Sequence, residues 1–283
     1  MRLFIAGATG VYGRNLIPLL LSQGHTVRVL VRRTEQADAL AAQGIETVLG
    51  DLLSVETQHT LAETLSGCDG VLHLATSIPS NTSAPGAWAA NTALRSTGTR
   101  AVLDATLEAG ASRYIQQSIV MSYVNGGDRL LDESWPRDKT NVVEGMEAMV
   151  RDVPTERLSW CILRGGSFVG LDTAQERLIE RLKEGSEVVP GDGSHYISPI
   201  HVADMAVATL LAIEAAPAGS IYNVNDEPLR YGEYVDRLAD MLGVSHPPRD
   251  TTKPTPASYR ADTGAIRATL GWMPTHGVFP TLV

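Results

Sequence analysis

A chain of 283 residues with 43 % hydrophobic and 19 % charged positions has the composition of a folded globular protein, long enough for one large α/β domain or a domain plus a smaller lobe. Its net charge of −9 and the lack of any basic run argue against nucleic acid or anionic membrane as the main partner. No stretch approaches the about 20 apolar residues of a membrane span, and the first residues form a strand pattern with no signal-peptide layout, so a cytoplasmic protein is expected.

The first half alternates strand and helix signals. "RLFIA" (2–6) is a short apolar run, residues 11–22 carry apolar positions at helical spacing, and Gly24 stops that helix. "TVRVLV" (26–31), "ETVL" (46–49), "GVLHLA" (70–75) and "RYIQQSI" (113–119) read as further strands. Helical patterns over "TEQADALAAQ", 56–65 and 87–108 separate them. Strands spaced this way imply right-handed crossovers and a parallel sheet. Later come a helix at 141–152, the strand "LSWCILR" (158–164), helices near 173–184 and 203–215, the strand "SIYNV" (220–224) and helices near 231–242 and just before Gly271. The expected architecture is α/β, a Rossmann-type doubly wound parallel sheet over 1–166 with a smaller α/β substrate lobe over 167–283. Parts of 200–225 are expected to return to the main domain.

The stretch "GATGVYG" places Gly7, Gly10 and Gly13 three apart between a strand and a helix. The first glycine permits a sharp turn, the second lets a pyrophosphate approach the backbone, and the third lets helix and strand pack closely. The helix N-terminus then offers N–H groups and a partial positive charge to phosphates. An acid at the end of the second strand would bind a ribose 2′-hydroxyl, but this chain has Arg32 and Arg33, which suit a 2′-phosphate, so NADP is favoured over NAD. Asp51, in "LGDLL", is placed either to reach the adenine amino group or to cap the next helix.

The ordered set "GATGVYG", "GDLL", "VLHLAT", "GTRAVLDATLEAG", "RYIQQSI", "ILRGGSFVG", "PIHVADMA" and "IYNVNDEP" resembles the extended short-chain dehydrogenase/reductase superfamily, in its epimerase/dehydratase-like branch, over nearly the whole chain. The resemblance implies that Thr9, Val11 and Tyr12 join the glycines in the phosphate turn and that Leu52 flanks the adenine beside Asp51. It also implies that Leu74, Ala75 and Thr76 line the ribose, and that Gln117, Ser118, Gly166 and Ser167 surround the nicotinamide. The resemblance implies that the helices near 87–108 and 141–152 form a homodimer face, although the apolar positions on both serve a core equally well.

The usual catalytic signature does not carry over. Superfamily members pair a tyrosine with a lysine four residues later, so that the ammonium lowers the phenol pKa. The three lysines here, Lys139, Lys183 and Lys253, are preceded at that spacing by Trp135, Ile179 and Arg249. Nucleotide-sugar members also carry an arginine where this chain has Ile197, and an apolar residue cannot pair with a diphosphate, so a nucleotide sugar is not the expected substrate. The combination resembles the atypical members of the branch.

Three residues remain as candidates for proton handling. Tyr123, in "SIVMSYVNGG", could donate to a substrate carbonyl, or pack the cleft wall. Lys139 could act as acid or base, or sit solvated in "PRDKTN". Ser118 could orient a carbonyl. His201 and Asp204, in "HVADMA", read more simply as packing and helix-dipole residues, and His73 as a hydrogen-bonded strand histidine. Cys68 and Cys161 are too far apart for a disulfide framework, Cys161 reads as a buried inert thiol, and no cluster has metal-ligand spacing. The expected function is an NADP-dependent oxidoreductase of the atypical extended type, acting on a small carbonyl or hydroxyl compound. A non-catalytic NADP-binding redox sensor and an isomerase or lyase on the same scaffold are the alternatives.

Overall fold

The computed structural model describes residues 1–79, 81–82 and 84–281. The first half runs β1 (Arg2–Ala6), α1 (Val11–Ser22), β2 (Thr26–Val31), α2 (Thr34–Ala41), β3 (Glu46–Leu49), α3 (Val55–Leu65) and β4 (Gly70–His73). The short α4 (Ala89–Ala93) passes through a π-helical turn at Leu94–Gly98 into α5 (Thr99–Ala109), and β5 (Arg113–Ile119) follows. Then come β6 (Leu130–Leu131), α6 (Val142–Arg151), β7 (Ser159–Gly165), β8 (Ser167–Val169), α7 (Ala174–Glu184), β9 (Val189–Pro190), β10 (Tyr196–Ile197) and β11 (Pro199–His201). The chain continues with α8 (Val202–Ala215), β12 (Ser220–Val224), β13 (Leu229–Arg230), α9 (Tyr231–Leu242), β14 (Arg249–Asp250), β15 (Arg260–Ala261) and α10 (Gly264–Leu270).

Seven strands form the central sheet in the order β12-β7-β5-β4-β1-β2-β3, and β1 to β5 pair in parallel. This is the doubly wound α/β arrangement read from the sequence. The order reverses beside β1, the topological switch point at which sheets of this kind bind ligands. Because β1 is central, its residues are apolar on both faces, and Leu3, Phe4 and Ile5 are buried. Phe4 and Ala6 face a core shared with Leu61 and Leu65 of α3, Val102 and Leu103 of α5 and Val150 of α6. Leu3 faces the other way, beside Gly70 and Ile213 of α8. A Cβ on Gly70 would lie 3.0 Å from Leu3 and 3.2 Å from Ile213, so the missing side chain lets α8 sit on the sheet.

The chain divides into two compact units. The first takes Met1–Ser118, Lys139–Leu163 and Ala206–Ile221, and the second takes Ile119–Asp138, Arg164–Met205 and the chain from Tyr222 onward. The second unit has its own apolar core, built from Val169, Leu178 and Leu182, Val189, and Tyr234, Val235 and Leu238 of α9. A smaller cluster joins Val120, Tyr123, Leu131 and Ala261. No helix among the described residues is long and apolar enough to cross a membrane. Both cysteines are buried, and burial pushes the Cys161 thiol well above its ordinary pKa.

Candidate functional site

The three glycines of the first turn have different physical reasons. Gly7 has φ +100°, and a Cβ there would lie 2.7 Å from the backbone of Leu74 and Ala75 at the end of β4. At Gly13 a Cβ would lie 2.4 Å from the Ala8 carbonyl. Both glycines are demanded by the close approach of the chain to itself. Gly10 is not. It is exposed, has ordinary extended backbone (φ −71°, ψ 165°), and a Cβ there would meet only the Gly7 carbonyl oxygen, at 3.5 Å.

What Gly10 leaves bare is the start of α1, of which it is the N-cap residue. Among the described residues no side chain caps this helix, and its first turn holds no acid. A row of first-turn amides with a positive dipole end, opened by a residue with no side chain, fits a pyrophosphate. Tyr12 lends only its backbone to that turn, because its ring is buried and its hydroxyl bonds the Thr209 hydroxyl. Thr9 and Val11 are half-buried beside it.

Around the turn, Leu74 continues the ladder by donating its N–H to Ala6 O at 2.8 Å and is buried, Ala75 is half-buried, and Thr76 is exposed. Arg32 and Arg33 follow β2, both exposed, and neither makes an ion pair among the described residues. Arg33 is the N-cap residue of α2. Asp51 does not cap α3. That role belongs to Ser54, whose Oγ accepts from Thr57 N at 3.1 Å, while one Asp51 carboxylate oxygen accepts from Leu53 N at 2.9 Å. Leu52 is buried in the core.

A buried polar cluster lies behind the ends of β4 and β5 in the first unit. Gln117 is buried and donates its amide to Ser118 O at 3.0 Å. Ser118 donates its hydroxyl to Glu147 of α6, a carboxylate with no exposed surface that also accepts from Arg151 at 3.2 Å. Arg95, in the π-helical turn, is 3 % exposed and donates to Met146 Sδ at 3.6 Å; burial pulls its pKa down to about 10 while Glu147 opposes the shift. His73 is also buried, which lowers its pKa to about 4. Its Nδ1 lies 3.2 Å from Gln116 Oε1 and 3.3 Å from Thr99 Oγ1, while its Nε2 has no partner among the described residues. Lys139 is exposed, two residues before the Asn141 cap of α6.

The second unit holds the remaining candidates. Tyr123 is 1 % exposed. Its hydroxyl donates to Asn223 Oδ1 at 2.7 Å and accepts from the buried Arg164 guanidinium at 2.7 Å. Arg164 and Arg137 lie over its ring at 5.1 and 5.4 Å. Burial raises the phenol pKa and Arg164 works against that rise. Gly166 is required by packing, since a Cβ there would lie 1.9 Å from Ser198 O, and Ser167 donates its N–H to the same carbonyl at 2.9 Å.

Asp204 sits in the first turn of α8, as the helix-dipole reading expects, but does more than meet a dipole. It accepts from Thr275 N (3.0 Å), Thr275 Oγ1 (2.9 Å), His276 N (2.8 Å) and His276 Nδ1 (2.8 Å), and so ties the C-terminal segment down. His276 in turn stacks on His201 at 4.7 Å. Burial pushes the Asp204 carboxyl up, but these donors outweigh it and hold the group below its ordinary value. A depressed folded-state pKa gives stability that is whole above the unfolded value, near about 3.9, and is lost as pH falls through the folded one. Asp204→Asn should therefore lower the thermal midpoint at pH 7 and differ less from the parent near pH 3. An equal gap at both pH values would show that the charge is irrelevant.

Comparison with known proteins agrees with the turn. The NAD(P)H-binding family profile matches residues 7–212. The chain belongs to the NAD(P)H-binding family. A curated relative, a 3-diazoavenalumate denitrifying reductase from Streptomyces sp., is 30 % identical over 98 % of this chain and 97 % of its own. A 4-hydroxy-2-methyl-3-oxo-4-farnesyl-3,4-dihydroquinoline-1-oxide ketoreductase from Stigmatella aurantiaca is 29 % identical over 86 % of this chain and 74 % of its own. Among solved structures, a UDP-glucuronic acid 4-epimerase from Bacillus cereus, in complex with UDP-glucuronic acid and NAD, superposes with TM-score 0.81 at 19 % identity, over 98 % of this chain and 95 % of its own. The chain is an NAD(P)-dependent enzyme of the oxidoreductase or epimerase-like kind.

Proposed function

We propose that this enzyme is an NADP-dependent oxidoreductase that acts on a small carbonyl or hydroxyl compound and not on nucleotide sugars. The observation that carries the NADP part is the exposed Arg32–Arg33 dipeptide at the end of β2, which makes no ion pair among the described residues and stands where an acid would favour NAD. Two relatives named as reductases, one of them a ketoreductase, favour carbonyl reduction. Ile197, half-buried in β10, stands where nucleotide-sugar enzymes present an arginine.

In this reading the amides of Val11, Tyr12 and Gly13 hold the pyrophosphate, and Arg32 and Arg33 hold the 2′-phosphate. The bound dinucleotide supplies a hydride. The chain's own task is to place the substrate and manage one proton. Tyr123 has its proton committed to Asn223, and Ser118 has its proton committed to Glu147, which leaves the Ser118 oxygen as an acceptor. Lys139 carries an exposed ammonium and is the candidate to deliver a proton to the oxygen that hydride transfer leaves charged.

The test is binding followed by turnover. Calorimetric titration should give tighter binding of NADPH than NADH. Replacing both arginines by alanine should weaken NADPH about a hundredfold and leave NADH unchanged. A wild-type protein that binds both alike would overturn the NADP reading. Loss of nicotinamide absorbance with ketones or aldehydes, and none with UDP-sugars, supports the substrate class; the reverse pattern refutes it.

A further inference from the structure

β10 and β13 pair antiparallel, with Tyr196 opposite Arg230 and Ile197 opposite Leu229. Successive side chains of a strand point to opposite faces. Ile197 and Leu229 pack on the core of the second unit, so Tyr196 and Arg230 face away from it. Arg230 lays its guanidinium over the Tyr196 ring at 4.6 Å, and Arg260 of β15 brings a second one to the same ring at 5.1 Å. All three side chains belong to the second unit, and all three residues are half-buried.

Two guanidiniums on one ring repel each other, and the ring's negative face offsets this only in part. The fold supplies a single counter-charge. Asp128 accepts from Arg230 Nη2 at 3.2 Å through its carboxylate, but from Arg260 Nη1, at 3.3 Å, only through its peptide carbonyl. Arg260 makes no ion pair among the described residues. The acids closest in sequence are engaged elsewhere, Asp192 by Ser194 N and Thr255 Oγ1, and Asp262 by Gly264 N. The Asp128 side chain is 77 % exposed, so its bridge to Arg230 is of the weak surface kind. Among the described residues nothing bonds the Tyr196 hydroxyl.

We propose that this face of the β10–β13 ladder binds a small oxyanion, a carboxylate or a phosphate group, through Arg230, Arg260 and the Tyr196 hydroxyl. An oxyanion has enough lone pairs to accept from all three, and guanidinium forks match its geometry. It also relieves the repulsion between the two cations. The position at which nucleotide-sugar enzymes present an arginine is Ile197, on the other face of the ladder, so this is a different site. It is independent of the dinucleotide turn.

Calorimetric titration of the full-length protein with inorganic phosphate and with succinate, in the presence of NADPH, tests the site. Arg260→Gln is expected to weaken anion binding about tenfold or more. Asp128→Asn removes the competing carboxylate and should strengthen binding about threefold, whereas arginines that serve only to hold Asp128 in place predict no gain. Should Arg260→Gln fail to fold, Asp128→Asn, on an exposed loop, still decides. A preference for phosphate over succinate would identify the group as phosphoryl, and the reverse as a carboxylate, each in support. No heat with either anion up to about 10 mM overturns the proposal, as does equal binding by the parent and Arg260→Gln, or binding by Asp128→Asn that is unchanged or weaker. Both variants should bind NADPH as the parent does; failure of the parent to bind it would count against the glycine turn and leave this comparison intact.

Discussion

Gly10→Asp should abolish NADPH binding, by about a hundredfold or more, in a protein that folds as well as its parent. Gly10 already has the extended backbone of an N-cap, and a Cβ there meets only the Gly7 carbonyl at 3.5 Å. Aspartate is among the best N-cap residues, so the substitution is worth a few tenths of a kcal/mol in favour of the helix. The carboxylate would take the same first-turn amides that a pyrophosphate needs, and repel what remains of it. Stability and binding are expected to move in opposite directions, which calorimetric titration and a thermal melt would show together. Gly7→Ala and Gly13→Ala are the contrast. Each drives a Cβ to within 2.7 or 2.4 Å of backbone and should cost the fold itself. A Gly10→Asp protein that binds NADPH like the parent would mean that the turn holds no phosphate.

Glu147→Gln is the second large effect, this time on stability. The Glu147 carboxylate has no exposed surface, receives the Ser118 hydroxyl and the Arg151 guanidinium, and offsets the charge of the buried Arg95. Neutralising it leaves Arg95 without a counter-charge in a setting where burial already works against ionisation. Breaking such a pair from one side costs about 3–5 kcal/mol, which in a chain of this size lowers the thermal midpoint by about 10 °C. A melt within two degrees or so of the parent's would show that Arg95 is stabilised by something else. The double replacement of Arg95 by methionine and Glu147 by glutamine should recover much of the loss, because the uncompensated charge is gone with its partner.

The sheet could be read from the order and spacing of apolar runs because those signals are local. The helix patterns at 173–184 and 231–242 and the stop at Gly271 lie within a residue or so of the elements observed. What could not be read was anything set by distant chain. Spacing treats Gly7, Gly10 and Gly13 alike, and only their neighbours in space show that packing demands two of them and not the third. Asp51 looked equally fit for two tasks until Ser54 was seen to cap α3. Asp204 had a sound local reading, yet its main partners lie more than seventy residues away. The run "GVLHLA" was longer than β4, which ends at His73; only the Leu74 N–H still bonds β1 before the chain passes Gly7. The helical pattern over 87–108 hid a π-helical turn, because a single turn of five residues is too short to register in the apolar period.

The path of the chain bears on how such an enzyme can diverge. Residues Ala206–Ile221 return to the first unit after the second has begun, and Ile119–Asp138 leave it early. Exchange of one whole unit between related genes would therefore need several crossovers, each inside a strand, a helix or a tight connection. New substrates are more readily acquired by drift in individual side chains than by shuffling of modules, and the two units are bound to be inherited as one.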